Sequence, residues 1–298
     1  MGFGSWNKSP IDNKDRRKAF LAIDAALEHG INTFDHADIY TYGKAEKIFG
    51  EYLKAHPLIR EQIFLQSKAG IVLNSSNTKS NTYNNSLDYL LKQVESSLRN
   101  LGTDYLDCFL VHRYDPLVSP EELSESLCII KEKGLVKNIG LSNMPPSICQ
   151  RIEKNCNFTL TSWQVQLSLG QSQLLQANTF YNLREDSMNL PSLHEYFSSK
   201  HTEVQAWGAL DKGAFLNHEA ISAKNKTALL LKELAEEMNT KAEAIQLAWL
   251  LHLPFKIRPI IGSTRPDRIA ACSASLQVNL SRNEWYNLWI NALGKSLP

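Results

Sequence analysis

Between Tyr105 and His112 the chain reads YLDCFLVH, a stretch in which apolar residues follow one another instead of alternating and which stops at an imidazole. A strand wetted on one face alternates; a near-continuous apolar run is what a parallel strand covered on both faces shows. Working outward, the same kind of run recurs as GFGSW (2–6), INTFD (31–35), IFLQSK (63–68), NIGLSN (138–143), SWQVQ (162–166), VQAWGA (204–209) and RPIIGST (258–264), eight candidate strands in all. Helical patterns lie between them. Leu87, Leu91, Val94, Leu98 and Leu101 recur at helical spacing and end at Gly102, and Phe20, Ile23 and Leu27 precede Gly30.

Strands separated by about 30 residues with a helix between them are βαβ crossovers. Eight such units close as a (β/α)8 TIM barrel, so the expected fold class is α/β with the active site at the C-terminal ends of the strands. A doubly wound sheet is the weaker alternative, because Gly2-Phe3-Gly4 is followed by Asn7 where a dinucleotide fingerprint needs its third glycine. With 298 residues, 43% of them hydrophobic, and no internal repeat or linker, one domain over 1–298 is expected. The polar segment from Asn74 to Ser86 reads as a surface loop after the third strand.

Lys and Arg total 32 against 31 Asp and Glu, which gives no positive excess for nucleic acid or an anionic membrane. No apolar run is long enough to span a bilayer. Five scattered cysteines without a C-x-x-C pair disfavour a disulfide framework or a zinc site and read as reduced thiols of a cytoplasmic protein. The expected partner is a small molecule, with the protein a monomer or weak oligomer.

At the strand ends stand Trp6, Asp35, Lys68, His112, Ser142 with Asn143, Gln164, Trp207 and Ser263. Singly, each has a structural explanation; together, at one rim, they define a site. The set resembles the NADPH-dependent aldo-keto reductases. Asp35-x-Ala37-x-x-Tyr40, Lys68 ending the third strand, Leu110-Val111-His112 and Gly140-Leu141-Ser142-Asn143 match four ordered motifs of that family, and HADIY, HRYDP and PIIGS resemble its bacterial YdhF-type branch.

The resemblance implies reduction of aldehyde or ketone carbonyls, with Tyr40 as general acid, Lys68 and Asp35 tuning it, and His112 binding the carbonyl. A phenol near pKa 10 gives up its proton reluctantly, and a neighbouring ammonium favours the phenolate. For NADPH it implies Gly4, Ser5, Trp6, Ser142, Asn143, Gln164, Trp207, Gly208, Ala209 and Leu210. It also implies Gly262, Ser263, Thr264 and Arg268 around the adenosine phosphate, beside Arg265.

His36 is expected to pack beneath a helix and Asp38 to serve a turn or to support the catalytic groups from behind. The sequence departs from the family at Gly262, where many members have Lys, at Trp163, where they have Asn, and in opening directly on the first strand; a short tail after 293 implies an open pocket. The competing readings are a cofactor-binding regulatory subunit with little turnover and a metal-dependent hydrolase using His36, Asp38 and His112.

Overall fold

The computed structural model describes residues 10–74, 80–180, 202–216 and 223–298. The first expected strand, 2–6, lies outside these residues. The other seven are all present, as β1 (Thr33–Asp35), β2 (Phe64–Ala69), β5 (Cys108–Val111), β6 (Ile139–Ser142), β7 (Ser162–Gln166), β8 (Glu203–Trp207) and β9 (Ile257–Ile260). They form a sheet in that order, and β1–β2, β2–β5, β5–β6 and β8–β9 pair in parallel, with Asp35 opposite Gln66, Lys68 opposite Leu110 and Trp207 opposite Ile260. The burial of all four β5 residues is what its unbroken apolar run requires.

Between the strands run α1 (Asn13–Glu28), α2 (Lys44–Ala55), α3 (Leu87–Leu101), α4 (Pro120–Glu132), α5 (Pro146–Lys154), α6 (Gln173–Thr179), α7 (Ala223–Glu237), α8 (Ala242–Leu251), α9 (Pro266–Ser273) and α10 (Arg282–Leu293). Their ends follow local chemistry. Ser86 caps α3 by accepting from Tyr89 N, and Gly102 ends it at φ 65°, a left-handed turn that glycine adopts without strain. Ser119 with Glu122 and Ser281 with Glu284 close capping boxes on α4 and α10.

A short antiparallel pair involves the segment expected as a surface loop: β3 (Ile71–Val72) comes just before it and β4 (Thr82–Tyr83) lies inside it. Two-residue strands are too short for alternation to reveal.

The chain divides into two compact units, 1–163 and 164–298. In the first, α2 packs on α3 at Gly50, where an added Cβ would sit 2.2 Å from the Asn100 carbonyl oxygen, so only glycine permits the approach. In the second, Trp249 and Trp285 stack at 4.9 Å, each indole N–H donating to the other's backbone carbonyl (3.1 and 2.9 Å). Two large rings are thereby buried with their donors satisfied. No helix of the described residues is long and apolar enough to cross a membrane.

Candidate active site

Asp35 ends β1, Lys68 lies near the end of β2, and His112 follows β5 directly. Parallel register aligns them: His36 N donates to Gln66 O, Asp38 N to Lys68 O, and His112 N to Ala69 O, at 2.9, 2.9 and 2.8 Å. Three sequence segments far apart in the chain thus deliver side chains to neighbouring strand ends.

Lys68 is completely buried. Its Nζ donates to both carboxylate oxygens of Asp35 at 2.7 Å and to His36 O at 2.9 Å, and it is also hydrogen-bonded to the Tyr40 phenol. Burial works to lower its pKa, but the Asp35 carboxylate and the Tyr40 phenol outweigh it and hold it above the ordinary lysine value. The ammonium is therefore permanent at any physiological pH. Gln66 Nε2 donates to Asp35 Oδ1 at 2.5 Å, steadying the carboxylate from the same strand as the lysine.

Tyr40 stands on the turn after β1, its ring centroid 5.0 Å from Lys68 Nζ and 6.1 Å, edge-on, from the His112 ring. Burial pushes the phenol above its ordinary value, and the Lys68 charge pulls it down. The lysine acts in the expected direction, but in the protein as described burial is the larger effect. Burial first and Lys68 second depress His112 to about 3, so its imidazole is neutral. Among the described residues its buried Nδ1 has no hydrogen-bond partner. A buried bare lone pair is better tolerated than a buried orphan N–H, which assigns the proton to Nε2 and makes that nitrogen a donor.

His36 packs its ring 4.7 Å from that of Phe49 on α2, as expected, and burial holds it neutral. Asp38 lies on the turn after β1, as expected. Burial and then the neighbouring Glu46 push its carboxyl up to about 7, and its Oδ1 has no partner among the described residues. Glu46 is itself buried on α2, accepting from Ser67 Oγ (2.7 Å) and Asn100 Nδ2 (3.2 Å). Sequence reading missed Glu46 and Gln66. Both are ordinary polar residues inside amphipathic or strand patterns, and only their burial distinguishes them.

At the end of β6, Gly140 is required because a Cβ there would meet Ser162 O at 2.8 Å. Ser142 is buried, and Asn143 takes φ 53°, a left-handed conformation that asparagine tolerates. Asn143 Nδ2 donates to Ser142 Oγ (2.7 Å) and His112 O (3.3 Å), tying this corner to the end of β5. Trp163, where the family has asparagine, is buried and donates to Met144 O (2.9 Å).

In the second unit Gln164 Nε2 donates to Gln205 Oε1 at 3.0 Å. Trp207 ends β8 and leads into Gly208 (φ 70°), buried Ala209 and Leu210. Asp211 holds this turn, accepting from Ser168 Oγ (2.5 Å), Gly170 N (3.1 Å) and Gln246 Nε2 (2.8 Å). Gly262 has nothing within 4 Å of where a side chain would start, and Ser263 Oγ accepts from Arg265 N just before α9. Arg265 is forked on Asp267, whereas Arg268 faces Glu243 at 3.8 Å, beyond hydrogen-bond length. An open glycine, hydroxyls and a loosely paired arginine at a helix start are the donor set a phosphate fits. Gly4, Ser5 and Trp6 lie outside the described residues.

A strand-end constellation of paired Lys and Asp, a phenol and a neutral imidazole, on an alternating parallel sheet, defines a (β/α)8 barrel oxidoreductase. The Aldo/keto reductase family model matches residues 1–289, and the chain belongs to that family. It is 32% identical to the 6-dehydroglucose reductase of Agrobacterium fabrum, over 99% of this chain and 94% of that protein. It is 31% identical to oxidoreductase YdhF of Escherichia coli, over 96% and 91%. Among solved structures, a glycerol dehydrogenase from Gluconobacter oxydans superimposes with TM-score 0.81 at 19% identity, covering 97% of this chain and 90% of that one.

Proposed function

We propose that this protein reduces aldehyde or ketone carbonyls to alcohols with NADPH as hydride donor, working as a single domain. The observation that carries the reading is Lys68, fully buried, clamped by Asp35 and set 5.0 Å from the Tyr40 ring. When bound, the nicotinamide supplies a hydride to the carbonyl carbon. The developing alkoxide then needs a proton, which the Tyr40 phenol donates. Lys68 stabilises the phenolate left behind, Asp35 keeps that ammonium oriented, and the Nε2–H of His112 holds the carbonyl oxygen in line. Ser142, Asn143, Gln164 and Trp207 would hold the nicotinamide end, Gly208 to Leu210 would also contact the cofactor, and Gly262 to Thr264 with Arg268 would hold the adenosine phosphate. Because relatives named 6-dehydroglucose reductase are among those similar to this chain, sugar-derived aldehydes head the substrate panel.

The test is loss of NADPH absorbance with a panel of aldehydes and ketones, wild type against Tyr40→Phe. The variant keeps the ring but lacks the proton, so turnover should fall about 10²- to 10⁴-fold with cofactor binding unchanged. Reduction at the wild-type rate would mean that another group supplies the proton. Arg268→Ala should weaken NADPH binding and leave NADH binding nearly untouched, read by fluorescence titration. An equal effect on both would remove Arg268 from the phosphate site.

A further inference from the structure

Of the five cysteines scattered in sequence, two come together in space. Cys108, Cys149 and Cys272 are buried, whereas Cys128 on α4 and Cys156 just after α5 are both partly open to solvent. Cys156 Sγ donates to Ser124 O at 3.9 Å and lies within hydrogen-bond reach of the Cys128 thiol. Ser124 and Cys128 stand one turn apart on the same face of α4, which is why one sulfur reaches both. The two helices are braced around this point. Ser124 Oγ donates to Ile152 O (3.1 Å), and Arg151 forks onto Glu121 with Nη2 at 3.0 and 2.7 Å from its two oxygens.

We infer that Cys128 and Cys156 are an oxidation site, a reduced dithiol that closes to an intramolecular disulfide when a two-electron oxidant such as hydrogen peroxide reaches it, fastening the end of α5 to α4. Cys156 Sγ already lies against the turn of α4 that carries Cys128 and is hydrogen-bonded to its thiol, so the two sulfurs are neighbours before oxidation. The order of events follows from the surroundings. Burial first, and the neighbouring Cys128 sulfur next, push the Cys156 thiol up to about 12, so the oxidant is met by Cys128. Cys128–SH and peroxide give Cys128–SOH and one water. The Cys156 sulfur then attacks the Cys128 sulfur, the S–O bond breaks, and the Cys156 proton leaves in a second water. The two thiols lose two electrons and two protons, and the peroxide O–O bond takes them up.

Because the cystine closes a chain loop across two packed helices, the oxidised protein should be harder to unfold. The experiment treats the full-length protein with a small excess of hydrogen peroxide, blocks remaining thiols by alkylation, and reads intact mass, peptide map and thermal midpoint. Expected are a mass lower by two hydrogens, a linked Cys128–Cys156 peptide, and a midpoint raised by about 5–10 °C that dithiothreitol reverses. Cys128→Ser and Cys156→Ser should each abolish the link and the shift, while Cys149→Ser should keep both. The inference is overturned if both thiols stay open to alkylation, or if the products are sulfinic acids or disulfides between molecules. A linked peptide without a rise in midpoint overturns it equally.

Discussion

The Lys68 ammonium is held in a fully buried position by Asp35 and one backbone carbonyl. Such a pair gives little net stability, but removing one member leaves an uncompensated charge and costs about 3–5 kcal/mol. Lys68→Met should therefore lower the urea midpoint and abolish most turnover together. Combining it with Asp35→Asn should return much of the stability, since neither charge remains, without returning activity. If the double variant unfolds as easily as Lys68→Met alone, the two side chains are not paired in solution. The sequence identified both residues by type and position. It did not reveal Gln66 or Glu46, because a polar residue in a patterned segment shows its burial only when the neighbouring elements are in place.

Helices and strands were legible where their own chemistry fixes them. The Leu87–Leu101 periodicity and the Gly102 stop predict α3, and the structure adds Ser86, the last residue of the expected loop, as its cap. The β3–β4 pair was not legible, since its pairing partner, not its local pattern, makes each two-residue strand. Gly50 belongs to the same class of hidden requirement. In sequence it is a glycine inside a helix, a weakening choice, and only contact with Asn100 explains it. Gly50→Ala, which should stabilise an isolated helix, should here destabilise the protein by about 1–3 kcal/mol through overpacking, measured by denaturant unfolding. A stability gain would show that α2 and α3 do not approach so closely.

At the scale of the molecule, buried titratable groups set the pH response. His36 and His112 are held neutral, so below pH 6.5 the unfolded chain binds two protons that the native protein refuses. Stability is then lost as pH falls, by about 1.4 kcal/mol per pH unit for each imidazole. Asp38 works oppositely. With its native pKa raised to about 7, its contribution is present at low pH and is lost as pH rises through 7. Between pH 6 and 4 these three groups leave a net loss of about 1.4 kcal/mol per unit. Asp38→Asn should remove the compensation and roughly double that slope, measured by urea unfolding at several pH values. An unchanged slope would mean that Asp38 is ionised in the native protein.

Taken alone, the sequence determined the alternation of strands and helices, because burial on both faces writes an unbroken apolar run, and it pointed to Asp35, Lys68 and His112 because each ends such a run, and to Tyr40 through the motif that Asp35 opens. Tertiary structure decided what no local pattern encodes. It made the charge of Lys68 permanent by enclosing it with Asp35, and it left the phenol of Tyr40 raised because its burial outweighs the lysine beside it. It also set Cys128 beside Cys156. In each case the deciding quantity is solvent exclusion at a contact between distant segments, and this exists only once the chain has folded.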